Sequence, residues 1–134
     1  MSRFVIRSAT HADAPALMAL IAAAMAERPQ DTHLDLAQLP CPVLVAVDRG
    51  GCVAGFASMI ENGDVPVLVE LYVGREYRRR GAGSGLVAAV IESARRAGKA
   101  GVSLSVHPDN ARARRLYRRH GFVAEGEALM ALRL

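Results

Sequence analysis

The chain has 134 residues, 51% of them hydrophobic, and a net charge of +4, which suits one globular domain spanning residues 1–134 with an ordinary core and no second catalytic domain. No apolar run approaches the roughly 18 residues of a membrane span, and the opening Met1 to Arg7 lacks the long apolar segment of a secretory signal, so a soluble cytoplasmic protein is expected. The charge is uneven: Arg75 to Arg119 holds twelve basic and three acidic residues, whereas the remainder carries a balance of −5. With only three Tyr and three Phe and no nucleic-acid motif, a nucleic-acid partner is disfavoured against a phosphorylated small molecule.

Taken in chain order, Phe4–Arg7 reads as a short strand, and Asp13 as the cap of a helix from about Pro15 to Met25, with Leu17, Leu20, Ile21 and Ala24 at helical spacing. A second short helix is expected over Asp31 to Leu39, stopped by Pro40 and Pro42. Val43–Val47 and Cys52–Ile60, joined by Asp48-Arg-Gly-Gly51, predict an antiparallel hairpin. Cys41 and Cys52 show neither ligand-pair spacing nor a disulfide framework, so they are read as reduced core or edge residues. Val67–Val73 is a nearly continuous apolar run, as a central strand requires. Leu86, Val87, Val90, Ile91 and Ala94 predict a helix stopped at Gly98, and Val102–Val106 a strand parallel to the central one. Asn110 is placed to cap a helix bearing Ala113, Leu116 and Tyr117, ended by Gly121. A final strand pair is expected at Phe122–Ala124 and Leu129–Arg133.

Between the central strand and the helix after it lies Arg78-Arg-Arg-Gly81-Ala-Gly83-Ser84. A glycine turn feeding a helix N-terminus exposes backbone N–H groups in the positive end of a helix dipole, which suits a polyphosphate. It is not a P-loop, since the only lysine is Lys99, and not a dinucleotide fingerprint, since Leu86 stands where the third glycine belongs. Many arginines in this half, Arg95, Arg96, Arg118 and Arg119 among them, read as solvated helix faces.

Arg78-x-x-Gly81-x-Gly83 after the apolar strand, followed by Asn110-x-x-Ala113-x-x-x-Tyr117 before Gly121-Phe122, resembles the GCN5-related N-acetyltransferase (GNAT) family. The resemblance spans Val67 to Phe122 by motif and most of the chain by element order. It implies an α/β fold with a mixed, twisted sheet of six or seven strands flanked by helices on both faces. It also implies that acetyl-CoA is the co-substrate, with its pyrophosphate over Arg78, Arg79, Arg80, Gly81, Ala82, Gly83 and Ser84. A bulge near the end of the preceding strand is implied, where backbone groups of Leu71, Tyr72 and Val73 meet the pantetheine arm and the thioester, the Val73 N–H facing the oxyanion. Tyr117 is implied as general acid beside the CoA sulfur, or else a core tyrosine packed with Leu116, and Asn110 both as cap and toward the pantetheine.

Glu70 is the candidate general base, because a carboxylate inside an apolar strand is costly to bury without function; pairing with an arginine or projecting from an edge is its other reading. Tyr72 fits the acceptor pocket or the core equally, and His107 and His120 read as surface or packing residues, with no metal site. The activity implied is transfer of acetyl to a primary amine, on a small molecule or a peptide, by direct attack in a ternary complex. A CoA-binding module with little catalysis is the alternative, and an exposed sheet edge leaves a homodimer open.

Overall fold

The computed structural model describes residues 3–29, 39–40 and 42–134, so the expected Asp31–Leu39 helix, apart from Leu39 itself, and Cys41 fall outside the described residues. Strands β1 (Val5–Ser8), β2 (Val43–Val47), β3 (Val53–Ile60), β4 (Val67–Val73), β5 (Gly101–Ser105), β6 (Val123–Ala124) and β7 (Leu129–Arg133) form one sheet ordered β1-β2-β3-β4-β5-β7-β6. Helix α1 (Ala14–Glu27) follows β1, α2 (Ala82–Arg96) joins β4 to β5, and α3 (Ala111–Arg119) joins β5 to β6. Every strand pairing is antiparallel except β4 with β5, the pair linked by α2. No helix among the described residues is long and apolar enough to cross a membrane.

The hairpin closes where the sequence places it. Asp48 Oδ1 accepts from Cys52 N at 2.8 Å while Gly51 takes φ +85°, a conformation that L side chains disfavour. Cys52 is exposed there. Asp13 occupies the N-cap position of α1 but makes no cap bond. Its buried carboxylate instead accepts from both terminal nitrogens of Arg7, at 2.8 and 2.9 Å, and from the Thr10 N–H at 2.7 Å, tying β1 to the helix. The expected cap thus serves as a tertiary anchor: Asp13 ends the short 3-10 turn His11–Asp13 in helical φ/ψ, closes that turn's capping box with the Thr10 N–H, and gives its remaining acceptor positions to Arg7.

Register sets which face each residue covers. Val45, Phe56 and Tyr72 lie in line across β2, β3 and β4 and pack with Leu17, Ile21 and Ala24 of α1. On the opposite face, Ala46, Ala57 and Leu68, with Val102 and Leu104 of β5, receive Leu86, Val87, Val90, Ile91 and Ala94 of α2. A side chain at Gly55 would come within 2.6 Å of the Tyr72 carbonyl oxygen, so the β3–β4 approach requires glycine there.

Two irregularities in β4 open the sheet. Ser58 pairs with Glu70 but Met59 with Leu68, leaving Val69 as an extra residue. The bulge implied near Leu71 to Val73 therefore sits earlier, at Val69. Beyond the parallel pairs Val67 with Ser103 and Leu68 with Leu104, the register of β4 and β5 ends, and the two strands are free to part toward their C-terminal ends.

Candidate functional site

A cavity of about 460 Å³ lies at this opening, lined by the ends of β4 and α1, the arginine-glycine turn and the start of α3. The turn is built by two left-handed residues, Arg79 at φ +65° and Gly81 at φ +93°, the second standing at the N-cap of α2. That geometry brings the chain from β4 into the helix with Ala82, Gly83 and Ser84 in its first turn, where N–H groups have no carbonyl partner within the helix. These three residues and Gly81 line the cavity, so the donors and the positive dipole end stand at its wall. Ser84 Oγ lies 2.9 Å from His120 Nε2. Burial, helped by Arg119, pulls the His120 pKa down and so favours the neutral ring.

The three arginines of the turn diverge. Arg79 lines the cavity, and Arg80 is exposed and outside its lining. Arg78, expected over the phosphates, also lines the cavity but is tied to its wall: its Nε donates to the Val73 carbonyl at 3.0 Å and its Nη2 to Glu27 Oε2 at 2.8 Å. Tyr72 also donates its hydroxyl to Glu27 Oε2, and the Arg78 guanidinium lies 5.5 Å from the centre of the Tyr72 ring. The Arg78 guanidinium holds the Glu27 carboxyl down to about 2, while burial, reinforced by Glu27, pushes the Tyr72 phenol up to about 12. Tyr72 is thus a core residue on the α1 side that also borders the cavity.

Strand alternation decides which backbone groups face the opening. The Gly74 N–H donates to the Ala54 carbonyl at 2.8 Å, so Gly74 and, two residues back, Tyr72 exchange bonds with β3. Leu71 and Val73 then direct their N–H groups to the other side, where β5 has parted from β4.

A second cavity, about 390 Å³, continues from the first and shares Arg28, Leu71, Asn110 and Ala113 with it. Glu70 and Tyr117 both line this second space. Tyr117 is 7% exposed, and burial, with the Glu70 charge next in effect, pushes its phenol above the ordinary range. Asn110 caps α3 by accepting from the Ala113 N–H at 3.2 Å and borders both cavities.

The expected site residues thus gather around two joined cavities, except Arg80. Sequence reasoning passed over Glu27 and Arg28 at the end of α1, and Tyr77 and Arg112. Arg112 lies inside the Asn110 to Tyr117 motif and was open to notice. Glu27 and Arg28 carried no signal, since a charged pair ending a helix is ordinary.

The sequence model of the acetyltransferase (GNAT) family matches residues 14–122, spanning α1, the turn and α3. The chain belongs to the GNAT family. Among solved structures, a ribosomal-protein-alanine N-acetyltransferase from Brucella melitensis is 27% identical, with 97% of this chain and 99% of that one aligned and a TM-score of 0.81. The Salmonella typhimurium protein yncA, solved with its cofactor acetyl-CoA, is 26% identical over 99% and 95% of the two chains, with a TM-score of 0.79. The PaiA N-acetyltransferase of Thermoplasma acidophilum, solved with coenzyme A, covers 100% of both chains at 17% identity and a TM-score of 0.80, a likeness of fold. Comparison with curated protein sequences returned no match. As a GNAT protein, the chain carries its family motifs on the elements that wall the two cavities.

Proposed function

We propose that this GNAT chain transfers acetyl from acetyl-CoA to a primary amine, by direct attack in a ternary complex. The observation that carries the reading is the junction of two cavities at the β4–β5 opening, one walled by helix-start N–H donors and the other by Glu70 and Tyr117. The yncA and PaiA structures, solved with acetyl-CoA and coenzyme A, support the choice of ligand. The fit to the present residues is chemical: unpaired N–H groups of Ala82, Gly83 and Ser84, with Arg79 beside them, suit a pyrophosphate.

In this reading Leu71 and Val73 receive the pantetheine arm as an added strand, and the Val73 N–H stabilises the negative oxygen that develops when nitrogen attacks the thioester carbon. Glu70 takes a proton from the incoming ammonium, which frees the nitrogen lone pair. A C–N bond forms, the C–S bond breaks, and the sulfur leaves as a thiolate beside Tyr117. The phenol stays neutral at any working pH, so its O–H is always available to that sulfur. Full transfer to a thiolate of pKa about 8.5 costs on the order of 2 kcal/mol even for an unperturbed phenol near 10. The hydrogen bond therefore carries most of the stabilisation, and protonation completes as the product leaves. Asn110 borders both cavities and fixes the start of α3, which orients Tyr117.

The acceptor is an amine on a small molecule or a peptide. The test is a panel of polyamines, aminoglycosides, amino acids and peptides with free N-termini, read by release of the CoA thiol. Turnover on a panel member supports the transferase, whereas acetyl-CoA binding with no turnover on any member favours a CoA-binding module.

A further inference from the structure

Glu27 lies outside every motif of the sequence, yet three elements meet on its carboxylate. It closes α1, accepts from the Tyr72 hydroxyl of β4, and accepts from Arg78 of the turn at 2.8 Å, with Arg75 at 3.6 Å. Held there, Arg78 presents its Nε to the Val73 carbonyl at 3.0 Å. The peptide between Val73 and Gly74 is then gripped at both ends, since its N–H donates to Ala54 at 2.8 Å. The side chains of Glu27 and Arg78 are 21% and 28% exposed, so the pair is largely shielded from water.

We propose that Glu27 is a positioning residue: through Arg78 it holds the end of β4, and with it the Val73 N–H, in the orientation that acetyl transfer needs. The inference rests on the role given to Val73 under the proposed function. It also gives Arg78 a task apart from the phosphates: its Nε and Nη2 serve Val73 and Glu27, so any phosphate contact from the first cavity, which it lines, is left to its remaining N–H groups. Arginine is required for the task, since one planar fork serves the Val73 oxygen and Glu27 together, and a lysine ammonium at the end of its stem does not reproduce that geometry. Misplacing a catalytic donor by about 1 Å costs up to a hundredfold in rate, so the loss belongs in kcat.

The test measures acetyl transfer kinetics and CoA affinity by calorimetry for Glu27→Gln, Arg78→Lys and the double variant. Positioning predicts that each single variant lowers kcat by tenfold or more, while the Kd of CoA changes by less than about threefold. The double variant should be no slower than the slower single one, because the two residues act as one unit. Spectrophotometric titration of the tyrosines adds a readout independent of turnover: in Glu27→Gln, Tyr72 ionises below its present value of about 12. Wild-type kcat in Arg78→Lys overturns the proposal. So does tighter CoA binding in Glu27→Gln combined with weaker binding in Arg78→Gln, which would make Arg78 a phosphate ligand restrained by Glu27. If Glu27→Gln does not fold, Arg78→Lys, which keeps the charge, carries the same kcat-against-Kd comparison. A wild type that binds CoA but acetylates nothing defeats the transferase reading instead. Arg78 is then judged by binding alone: unchanged CoA affinity in Glu27→Gln keeps it off the phosphates, and tighter binding places it on them.

Discussion

Tyr117 was legible as a functional candidate from its motif, but its company was not. The sequence offers Tyr117 and Glu70 as separate roles 47 positions apart, and folding sets them on the wall of one cavity, close enough for the Glu70 charge to raise the phenol. Tyr117→Phe should lower kcat by roughly a hundredfold, within the range of lost acid–base contributions, while CoA affinity stays within about threefold. The pH profile of the wild type should show no limb from Tyr117 below about pH 10, because its phenol is shifted upward. Acid stability is a second prediction at this scale. Arg7 holds the Asp13 carboxyl, ordinarily at 3.8, down to about 2, and Arg78 does the same for Glu27, ordinarily at 4.5. Depressed carboxylates stabilise the fold fully above their unfolded pKa values and lose that contribution as protons bind. Urea unfolding should therefore weaken steadily from about pH 4.5 to about pH 2. In Asp13→Asn or Glu27→Gln the pH 7 stability should be lower and the acid slope shallower.

Individual elements followed their local signals closely, with exceptions where tertiary partners competed. The β4 range, the hairpin and the Asn110 cap appear where apolar runs, turn glycines and a side-chain acceptor place them. Asp13 departs because it sits at the end of a 3-10 turn, where its carboxylate closes the capping box with Thr10 and binds Arg7 six residues away instead of capping α1. The bulge falls at Val69, earlier than the Leu71 to Val73 that the family resemblance implied, because the partner register on β3 selects the extra residue. Asn110→Ala should cost about 1 kcal/mol of stability by removing the cap. It should also lower acetyl transfer, as α3 carries Tyr117; thermal melting beside kinetics separates the two effects. Gly81→Ala forces a side chain into φ +93° at roughly 1–2 kcal/mol. No heavy atom lies within 4 Å of the added methyl, so its effect should come from backbone strain, seen as weaker CoA binding in calorimetry.

At the scale of the molecule, the sheet is a continuous antiparallel half, β1 to β4, joined to β5–β7 by two parallel register pairs. A ligand lying in the opening contacts both halves and should resist their separation. Acetyl-CoA at 100 times its Kd should add about 2.7 kcal/mol, a rise in Tm on the order of 10 °C for a domain of this size. A melting curve indifferent to acetyl-CoA would contradict the ligand assignment. The sequence by itself determined the order of strands and helices, the glycine turn at a helix start, and the family motifs, because each rests on spacing between residues close along the chain. Only the tertiary structure decided that Arg78 engages Glu27 at the cavity wall, that the bulge falls at Val69, and that Glu70 and Tyr117 share one wall. Those outcomes depend on partners 51, 9 to 12 and 47 positions distant, whose approach is set by sheet register and helix packing and leaves no local trace.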